Sequence, residues 1–170
     1  MTEPISVEEF LIKSRTIPVA DVRTPAEYEK AHIPGAVLFP LFNDLERAEV
    51  GTLYVQERRT AAVLKGLELT GPRLEAMARR GLEIAGGSAA DSGGSLLLYC
   101  WRGGMRSASV AWLMEKVGIR CYTLENGYKA YRNHLLGFFE HLPHSLNVLG
   151  GLTGSGKTER LLQMAEAGEQ

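Results

Sequence analysis

The chain has 170 residues, of which 45% are hydrophobic and 23% are charged, values typical of a globular protein long enough for one ordinary domain and too short for two. Its 19 Lys and Arg residues against 20 Asp and Glu residues give a net charge of -1, which excludes a generally basic nucleic-acid binder but not a local basic patch. No apolar run approaches the roughly 20 residues of a membrane span, and no signal-peptide pattern opens the chain. Two cysteines make no disulfide framework, so we expect a cytoplasmic protein.

The first part of the chain predicts short helices and strands in alternation. Ser6 followed by Glu9 is a capping-box pattern, which predicts a short helix. Residues 16–22 are apolar and β-branched and predict a buried strand. Residues 24–27 supply the N-cap, the proline and the acid that open a second helix. After a Pro-Gly turn, residues 36–39 predict the next short strand.

The middle of the chain predicts more helix and then a second buried strand. Apolar spacing over residues 60–84 is helical and is interrupted at Gly71-Pro72, which indicates two helices or one kinked helix. Residues 86–95 are mostly Gly, Ser and Ala and predict a flexible surface loop. Residues 96–99 then predict a buried strand, and residues 100–106 a loop that contains glycine.

That loop opens the last elements of a first domain. We expect an amphipathic helix over residues 107–117, a strand over 120–124 and, after an Asn-Gly turn, a helix over 128–136. Strands that alternate with helices predict an α/β fold with a mainly parallel sheet covered on both faces.

Cys100 is the candidate nucleophile, because it lies between a buried strand and a helix N-terminus. At such a position, unpaired backbone N–H groups and the helix dipole favour the thiolate. Arg102 and Arg106 add positive charge, and Gly103-Gly104 let the backbone curl so that successive amides form a cradle for an anion. The alternative for Cys100 is a buried structural role, which is our interpretation of Cys121. The predicted substrate-binding loop comprises Trp101, Arg102, Gly103, Gly104, Met105, Arg106 and Ser107.

The motif around Cys100 does not by itself choose the reaction. Residues 100–107 fit Cys-x-x-Gly-x-x-Arg-Ser, the phosphate loop of the cysteine phosphatases, which favours an oxyanion-binding thiolate in phosphoryl or sulfur-type transfer. Residues 21–28 (Asp-Val-Arg-Thr-Pro-Ala-Glu-Tyr) and 32–36 (His-Ile-Pro-Gly-Ala), followed by the strand that ends in Cys100, resemble the rhodanese (sulfurtransferase) family in order and spacing. The resemblance implies a rhodanese-like three-layer fold with a central, mainly parallel five-stranded sheet flanked by helices. It also implies a persulfide or its selenium analogue on Cys100.

The rhodanese resemblance gives Asp21 and Arg23 a structural role. It implies that they hold the sheet edge and the loop together by ion pairing, and we expect no catalytic role for them. A dual-specificity phosphatase of the same fold is an alternative. Tyr99 counts against it, because those enzymes usually have His at this position.

Three longer segments narrow the resemblance. Residues 39–54, 100–107 and 125–130 resemble the bacterial tRNA 2-selenouridine synthases, which join an N-terminal rhodanese domain to a P-loop domain. The resemblance implies a selenotransferase that replaces sulfur by selenium in 2-thiouridine at the wobble position of the tRNA anticodon stem-loop. It implies selenophosphate as donor, a geranylated 2-thiouridine intermediate made from geranyl diphosphate, and no tightly bound cofactor. A selenophosphate-supplying enzyme is then an expected partner, with Cys100 as nucleophile or selenium carrier.

A second motif lies near the end of the chain. After an expected strand at 146–149, residues 151–158 fit G-x-x-x-x-G-K-[ST] and lead into a helix from about Lys157. We expect the amides to cradle phosphates, Lys157 to neutralise them, and Thr158 to ligate Mg²⁺ in an intact P-loop domain. The predicted phosphate-binding residues are Gly151, Gly154, Ser155, Gly156, Lys157 and Thr158.

Only twelve residues follow Thr158, and their acids lie on or beyond the same helix. A lone strand and helix cannot bury their own faces. We therefore expect a fragment, with a complete rhodanese-like domain over residues 1–140 and, over 141–170, a linker and the start of an incomplete P-loop domain. The boundary lies near 138–145. Phosphate binding by this fragment is then expected to be weak or absent.

Other polar groups have weaker functional interpretations. His134, His141 and His144 lack a nearby cysteine or paired acids, so we expect linker histidines and no metal site. Trp101 is a candidate for stacking on a base or an isoprenoid chain, or for packing at the loop edge. Between Trp101 and Leu135, six basic residues stand against two acidic ones, which favours a rim that faces RNA. By contrast, glutamates interleave with a second basic set, which predicts a solvated helix face: Arg58, Arg59, Arg73, Arg79 and Arg80.

The residues leave three alternatives to the selenotransferase. The first is a generic thiosulfate or persulfide sulfurtransferase that acts without tRNA. The second is a phosphatase with the rhodanese fold. The third is a non-catalytic module that docks tRNA or a partner, in which Cys100 is incidental.

Overall fold

The computed structural model describes residues 2–86, 94–140 and 149–166. The chain divides into two compact units, Met1–Phe138 and Phe139–Gln170. Within the described residues, the first unit contains a five-stranded sheet in which every strand pair is parallel. The predicted α/β fold with a parallel sheet is therefore confirmed.

The central strand of the sheet is the one that leads to Cys100. Its residues Leu96, Leu97, Leu98 and Tyr99 are fully buried, as expected for a parallel strand covered on both faces. The strands lie side by side in the order β1-β5-β4-β2-β3. In chain order they are β1 (Glu3–Ile5), β2 (Val19–Asp21), β3 (Val37–Leu38), β4 (Ser95–Tyr99) and β5 (Arg120–Leu124).

Helices cover both faces of this sheet, because successive β4 side chains point to opposite sides. Leu98 belongs to a core cluster with Met114 on one side, and Tyr99 to a cluster with Phe10 and Tyr131 on the other. The helices of the first unit are α1 (Val7–Lys13), α2 (Pro25–Lys30), α3 (Asp44–Gln56), α4 (Arg59–Thr70), α5 (Leu74–Ile84), α6 (Met105–Lys116) and α7 (Gly127–Glu140), whose last residues enter the second unit; α8 (Lys157–Glu166) lies in the second unit.

The local signals for helix starts are confirmed. The Ser6 side chain accepts a hydrogen bond from the backbone N–H of Glu9 at the start of α1. Thr24 and Glu27 form a reciprocal capping box at the start of α2. At the interruption at Gly71-Pro72, a 3-10 turn over Gly71–Arg73 separates α4 from α5. None of the helices in the described parts of the chain is long and apolar enough to cross a membrane.

Two elements were missed in the sequence. The edge strand β1 is only three residues long and contains Pro4, which edge strands tolerate because one side of their backbone makes no sheet hydrogen bonds. It pairs in parallel with β5 and is the fifth strand of the sheet. Helix α3 lies in a stretch for which we predicted no element. It does carry a capping box, formed by Asn43 and Glu46, which is a usable sequence signal.

Element boundaries differ from the predictions at several points. Helix α6 begins at Met105, so Met105 and Arg106, predicted as loop, lie in its first turn. The predicted loop over 86–95 extended too far, because Ser95 opens β4, while 87–93 fall outside the described residues. Most of the strand predicted at 146–149 also falls outside them, and Leu149 is not in a strand.

Candidate active site

Cys100 lies at the carboxyl end of β4, the strand at the centre of the sheet. The backbone then turns through four residues, and α6 begins at Met105 with Gly104 as its N-cap residue. The carboxyl ends of parallel strands are where open α/β sheets bind ligands, because the chain leaves the sheet there toward a helix N-terminus. Position alone therefore makes this loop the candidate site.

The sulfur of Cys100 lies inside a small set of hydrogen-bond donors. The backbone N–H of Gly104 donates to Cys100 Sγ at 3.3 Å, and Ser107 Oγ lies 3.3 Å from the same sulfur. Ser107 Oγ is also within 3.1 Å of the Gly104 carbonyl oxygen. Because a hydroxyl group has one hydrogen, Ser107 can donate to the sulfur only when it releases this carbonyl. An ionised sulfur is the stronger acceptor and favours that arrangement.

The two cysteines differ in acidity for a physical reason. Burial opposes ionisation of Cys100, but hydrogen bonds from Ser107, Gly104 and Arg102 outweigh it, so the pKa of Cys100 lies below its ordinary value. Cys121 has no such donors, and burial raises its pKa to about 12. Both are free thiols. Cys100 therefore ionises more readily than an ordinary thiol, whereas Cys121 has the properties of the buried structural cysteine that the sequence predicted.

Ser107→Ala is expected to raise the pKa of Cys100, because it removes one donor to the thiolate while burial still opposes the charge. Folding lowers the pKa of Cys100, so its ionisation stabilises the fold above the unfolded pKa. That contribution is lost as the pH falls through the folded pKa. The ultraviolet absorbance of the thiolate, followed against pH, measures the shift. Ser109→Ala, at an exposed position of α6, is the control. A titration curve that does not move to higher pH in Ser107→Ala contradicts this account.

Arg106 is paired with a carboxylate, whereas the sequence predicted that it adds positive charge to the loop. Its guanidinium donates to both carboxylate oxygens of Glu27, at 2.6 and 3.2 Å, and both side chains are largely buried. Burial opposes ionisation of Glu27, yet hydrogen bonds from Arg106 and from the Thr24 backbone lower its pKa. The charge of Arg106 is thus neutralised by α2, which ties that helix to the first turn of α6. Arg102 is exposed in the loop.

The N-terminus of α7 packs against the loop that follows Cys100 and donates hydrogen bonds to its backbone. The backbone N–H of Tyr128 donates to the Cys100 carbonyl at 2.8 Å, and that of Lys129 donates to the Trp101 carbonyl at 3.1 Å. Gly127 has a φ of 57° and lies so close to the loop that a Cβ atom would overlap the Cys100 carbonyl oxygen. The sequence predicted a turn here but not this supporting role. Only the packing of α7 against the loop reveals it.

Gly103 and Gly104 provide a matched test of the loop geometry. Gly103 has a φ of 62°, and a Cβ there would lie 2.7 Å from the Leu124 carbonyl oxygen and 2.8 Å from the Asn126 nitrogen. A Cβ on Gly104 would meet nothing within 4 Å. We expect Gly103→Ala to lower the free energy of unfolding by roughly 2–3 kcal/mol and Gly104→Ala by less than about 1 kcal/mol. Urea denaturation measures both, and equal losses would show that backbone crowding at Gly103 is unimportant.

A buried ion pair lies beside the loop. The Arg23 guanidinium donates to both carboxylate oxygens of Asp21, at 2.6 to 3.0 Å, and to the Ala31 carbonyl at 2.8 Å. Both side chains are almost completely buried. The guanidinium also lies 4.1 Å from the ring centroid of Tyr128, the residue whose N–H holds Cys100. The predicted pairing of Asp21 with Arg23 is therefore confirmed. The pair connects β2 to α7.

Two apolar side chains of the loop face solvent. Trp101 is 39% exposed and Met105 is 42% exposed. The indole ring of Trp101 also contacts Tyr128, at 5.8 Å between ring centroids, so packing at the loop edge and an open face are both present. The open face leaves room for a planar or apolar group beside Cys100.

Some basic residues that the sequence placed on a solvated helix face form ion pairs. Arg79 and Arg80 of α5 form exposed ion pairs with Glu75 and Glu83, which confirms the prediction for that helix. Arg73 instead binds Glu46, the carboxylate that caps α3.

Of the three histidines considered for a metal site, the structure describes only His134. His134 lies 3.2 Å from Glu8, while His141 and His144 fall outside the described residues. In the parts of the chain that the structure describes, no three His, Cys, Asp or Glu side chains are grouped to hold a metal ion.

The second unit contains the other predicted site. Lys157 Nζ donates to the carbonyl oxygens of Gly151 and Leu152, at 2.9 and 2.7 Å. The loop backbone has positive φ values at Gly151, Gly154 and Gly156, which glycine adopts readily because it has no side chain. The predicted residues lie in the loop before α8 and in its first turn: Gly151, Gly154, Ser155, Gly156, Lys157 and Thr158.

Comparison with known proteins gives consistent results for the first unit. The profile of the family described as "Rhodanese-like domain" matches residues 6–134. A tRNA 2-selenouridine synthase of Pseudomonas putida (strain GB-1) is 40% identical over 151 residues, covering 87% of this chain and 40% of that protein. One from Bordetella petrii is 40% identical over 153 residues, covering 88% and 40%. The chain thus spans about 40% of the length of these curated relatives.

A solved structure is also similar. The crystal structure of the N-terminal domain of a putative ATP/GTP binding protein from Clostridium difficile 630 is 38% identical to this chain, with a TM-score of 0.70. The alignment covers 79% of this chain and 99% of that one.

Proposed function

Because this chain belongs to the rhodanese-like domain family, we propose that Cys100 is a nucleophile that the chain contributes to a tRNA 2-selenouridine synthase. The substrate is then 2-thiouridine at the wobble position of tRNA, and the product is 2-selenouridine. The observation that carries the proposal is a thiol of lowered pKa at the carboxyl end of β4, in a chain 40% identical to proteins of that name. A reducing cytoplasm suits its two free thiols.

The proposed exchange needs no oxidant or reductant. Geranyl diphosphate first alkylates the sulfur of the base, and diphosphate leaves. Selenide from selenophosphate then replaces the geranylated sulfur at the carbon of the base, geranylthiol leaves, and water takes up the phosphoryl group as phosphate. The phosphate-binding loop before α8 is the proposed contact for the diphosphate, since its glycine-rich backbone leaves amides accessible.

In this proposal the residues around Cys100 have separate tasks. The thiolate of Cys100 attacks the phosphorus of selenophosphate, the P–Se bond breaks, and hydrogen selenide leaves to react with the base. Water then cleaves the new S–P bond, which releases phosphate and restores the thiolate. The N–H of Gly104 and the hydroxyl of Ser107 stabilise negative charge at the sulfur. Glu27 and Arg106 are positioning residues, because their ion pair fixes the first turn of α6 against α2.

Intact-mass measurement followed by peptide mapping tests the proposal. The chain is incubated with selenophosphate, and in a separate sample with thiosulfate. We expect a covalent adduct on Cys100 and none on Cys121, whose raised pKa keeps it protonated. The added mass identifies the group on the sulfur, which is a phosphoryl group from selenophosphate or a sulfur atom from thiosulfate. No adduct on Cys100 with either donor, together with turnover of an aryl phosphate, would contradict the proposal and favour a phosphatase.

A second candidate is sulfur transfer without tRNA. In that reaction the Cys100 thiolate attacks the outer sulfur of thiosulfate, a new S–S bond forms, and sulfite leaves with the electron pair of the broken bond. The observation that favours it is that the donors around Cys100 stabilise an anionic sulfur as well as an anionic selenium. An adduct from thiosulfate that cyanide removes, with none from selenophosphate, would support this reaction in place of the first.

A further inference from the structure

An open polar cleft lies beside the nucleophile loop. Its volume is about 450 Å³, and its lining consists of Arg102, Asn126, Lys129, Ala130 and Asn133. Asn126 immediately precedes α7, and Lys129, Ala130 and Asn133 lie at helical spacing along one face of that helix. The cleft thus joins a loop cation, a helix cation and two amide side chains, without an acidic residue in its lining.

The two cations of the cleft are available for a ligand. Within residues 2–86, 94–140 and 149–166, neither Arg102 nor Lys129 forms an ion pair, and both side chains are exposed. Two other basic residues of the predicted rim have acidic partners. Arg106 binds Glu27, and Arg120 lies near Glu3. Arg102 and Lys129, by contrast, bring two exposed cations into one cleft.

The cleft is held at a set position relative to Cys100. The backbone N–H of Lys129 donates to the Trp101 carbonyl, and the N–H of its neighbour Tyr128 donates to the Cys100 carbonyl. A ligand bound between Arg102 and Lys129 is therefore carried on the same rigid backbone as the nucleophile.

The chemistry of the cleft matches one unit of an RNA chain. Its volume falls in the range of roughly 300–1,000 Å³ that holds ligands larger than a bare tetrahedral anion. Arg102 and Lys129 suit a phosphodiester, and Asn126 and Asn133 suit the edge of a base or a ribose hydroxyl. The exposed face of Trp101, next in the chain to Arg102, suits a stacked base.

We propose that this cleft binds a nucleotide that flanks the reacting uridine in single-stranded RNA. The inference rests on the proposed function, since it assumes that the substrate is RNA. It adds a location and named contacts on the rhodanese-like unit: Arg102 and Lys129 hold the phosphodiester, and Asn133 contacts the nucleotide itself. The reacting base then lies over Cys100.

Binding of a labelled RNA stem-loop with 2-thiouridine in its loop, followed by fluorescence anisotropy at several salt concentrations, tests the cleft. We expect Lys129→Ala to weaken binding about tenfold and to lower the salt-dependence slope by about 0.7, the value for one phosphate contact in a single strand. Asn133→Ala is expected to weaken binding by about fivefold with an unchanged slope. Both positions are exposed, so both variants are expected to fold.

Arg79→Ala is the matched control, because it removes one exposed cation of α5 and changes the net charge equally. It is expected to change the affinity by less than about twofold. The proposal is overturned if wild-type chain does not bind the RNA, or if Lys129→Ala and Arg79→Ala behave alike. It is also overturned if Lys157→Ala, in the phosphate loop, abolishes binding and Lys129→Ala does not. The adduct test on Cys100 needs no RNA, so failure of the proposed function is distinguishable from failure of the cleft.

Discussion

Replacement of Cys100 by serine is expected to lower the rate of chalcogen transfer by about 10⁴-fold or more and to leave the fold intact. A serine hydroxyl is not ionised near neutral pH, so the hydrogen bonds that lower the pKa of Cys100 cannot produce a comparable nucleophile. The serine keeps hydrogen-bond partners in Gly104 and Ser107, which limits the cost of a buried hydroxyl. The rate is measured as sulfite release from thiosulfate, and stability by urea denaturation.

Cys121→Ser is the matched control for Cys100→Ser. Cys121 is equally buried, but its polar contact within the described parts of the chain is weak, from Sγ to the Ile119 carbonyl at 3.8 Å. Its replacement is therefore expected to cost about 1–2 kcal/mol of stability without loss of rate. If Cys100→Ser retains most of the rate, or if Cys121→Ser loses it, the assignment of the chemistry to Cys100 is wrong.

Asp21→Asn is expected to lower the free energy of unfolding by about 3–5 kcal/mol. The substitution removes the negative charge and leaves the Arg23 guanidinium buried without a counter-ion. Arg23 is 1% exposed, so water cannot take the place of the carboxylate. Because the same guanidinium packs over Tyr128, which holds the Cys100 carbonyl, we also expect slower transfer by the folded fraction.

Glu75→Gln is the control for the buried pair. It makes the same carboxylate-to-amide change in the ion pair with Arg79, where the two side chains are 80% and 72% exposed. Solvent screens that pair, so the expected loss is below about 1 kcal/mol. Urea denaturation of the two variants compares them directly. Equal losses would mean that burial does not strengthen the dependence of Arg23 on Asp21.

The elements that sequence analysis predicted well have local signals. Thr24 and Glu27 cap α2 within four residues of chain, and the break at Gly71-Pro72 depends on the geometry of proline itself. Within the strand that ends before Cys100, residues 96–99 are apolar without interruption because both faces of the strand are covered. In contrast, β1 carries almost no signal of its own, since its three residues become a strand only by pairing with β5.

For the site, the sequence alone predicts Cys100 as the candidate nucleophile and the type of loop that surrounds it. A cysteine between a buried strand and a glycine-containing helix start is the pattern that supports this choice. Ser107 is the last residue of the same motif. The lowered pKa of Cys100 agrees with the prediction, because the residues that donate hydrogen bonds to its sulfur lie within seven positions of it.

Only the tertiary structure decided how the charges around that loop are used. Arg106 looked like a free cation, but its partner Glu27 lies 79 positions earlier in the chain, and no local pattern announces a contact at that separation. Arg102 remains available and shares a cleft with Lys129, because α7 packs beneath the loop. Charge pairing depends on which side chains folding brings together. The sequence therefore predicts the candidate reacting atom, while the packing of α2 and α7 determines which cations of the loop pair with a carboxylate and which stay exposed.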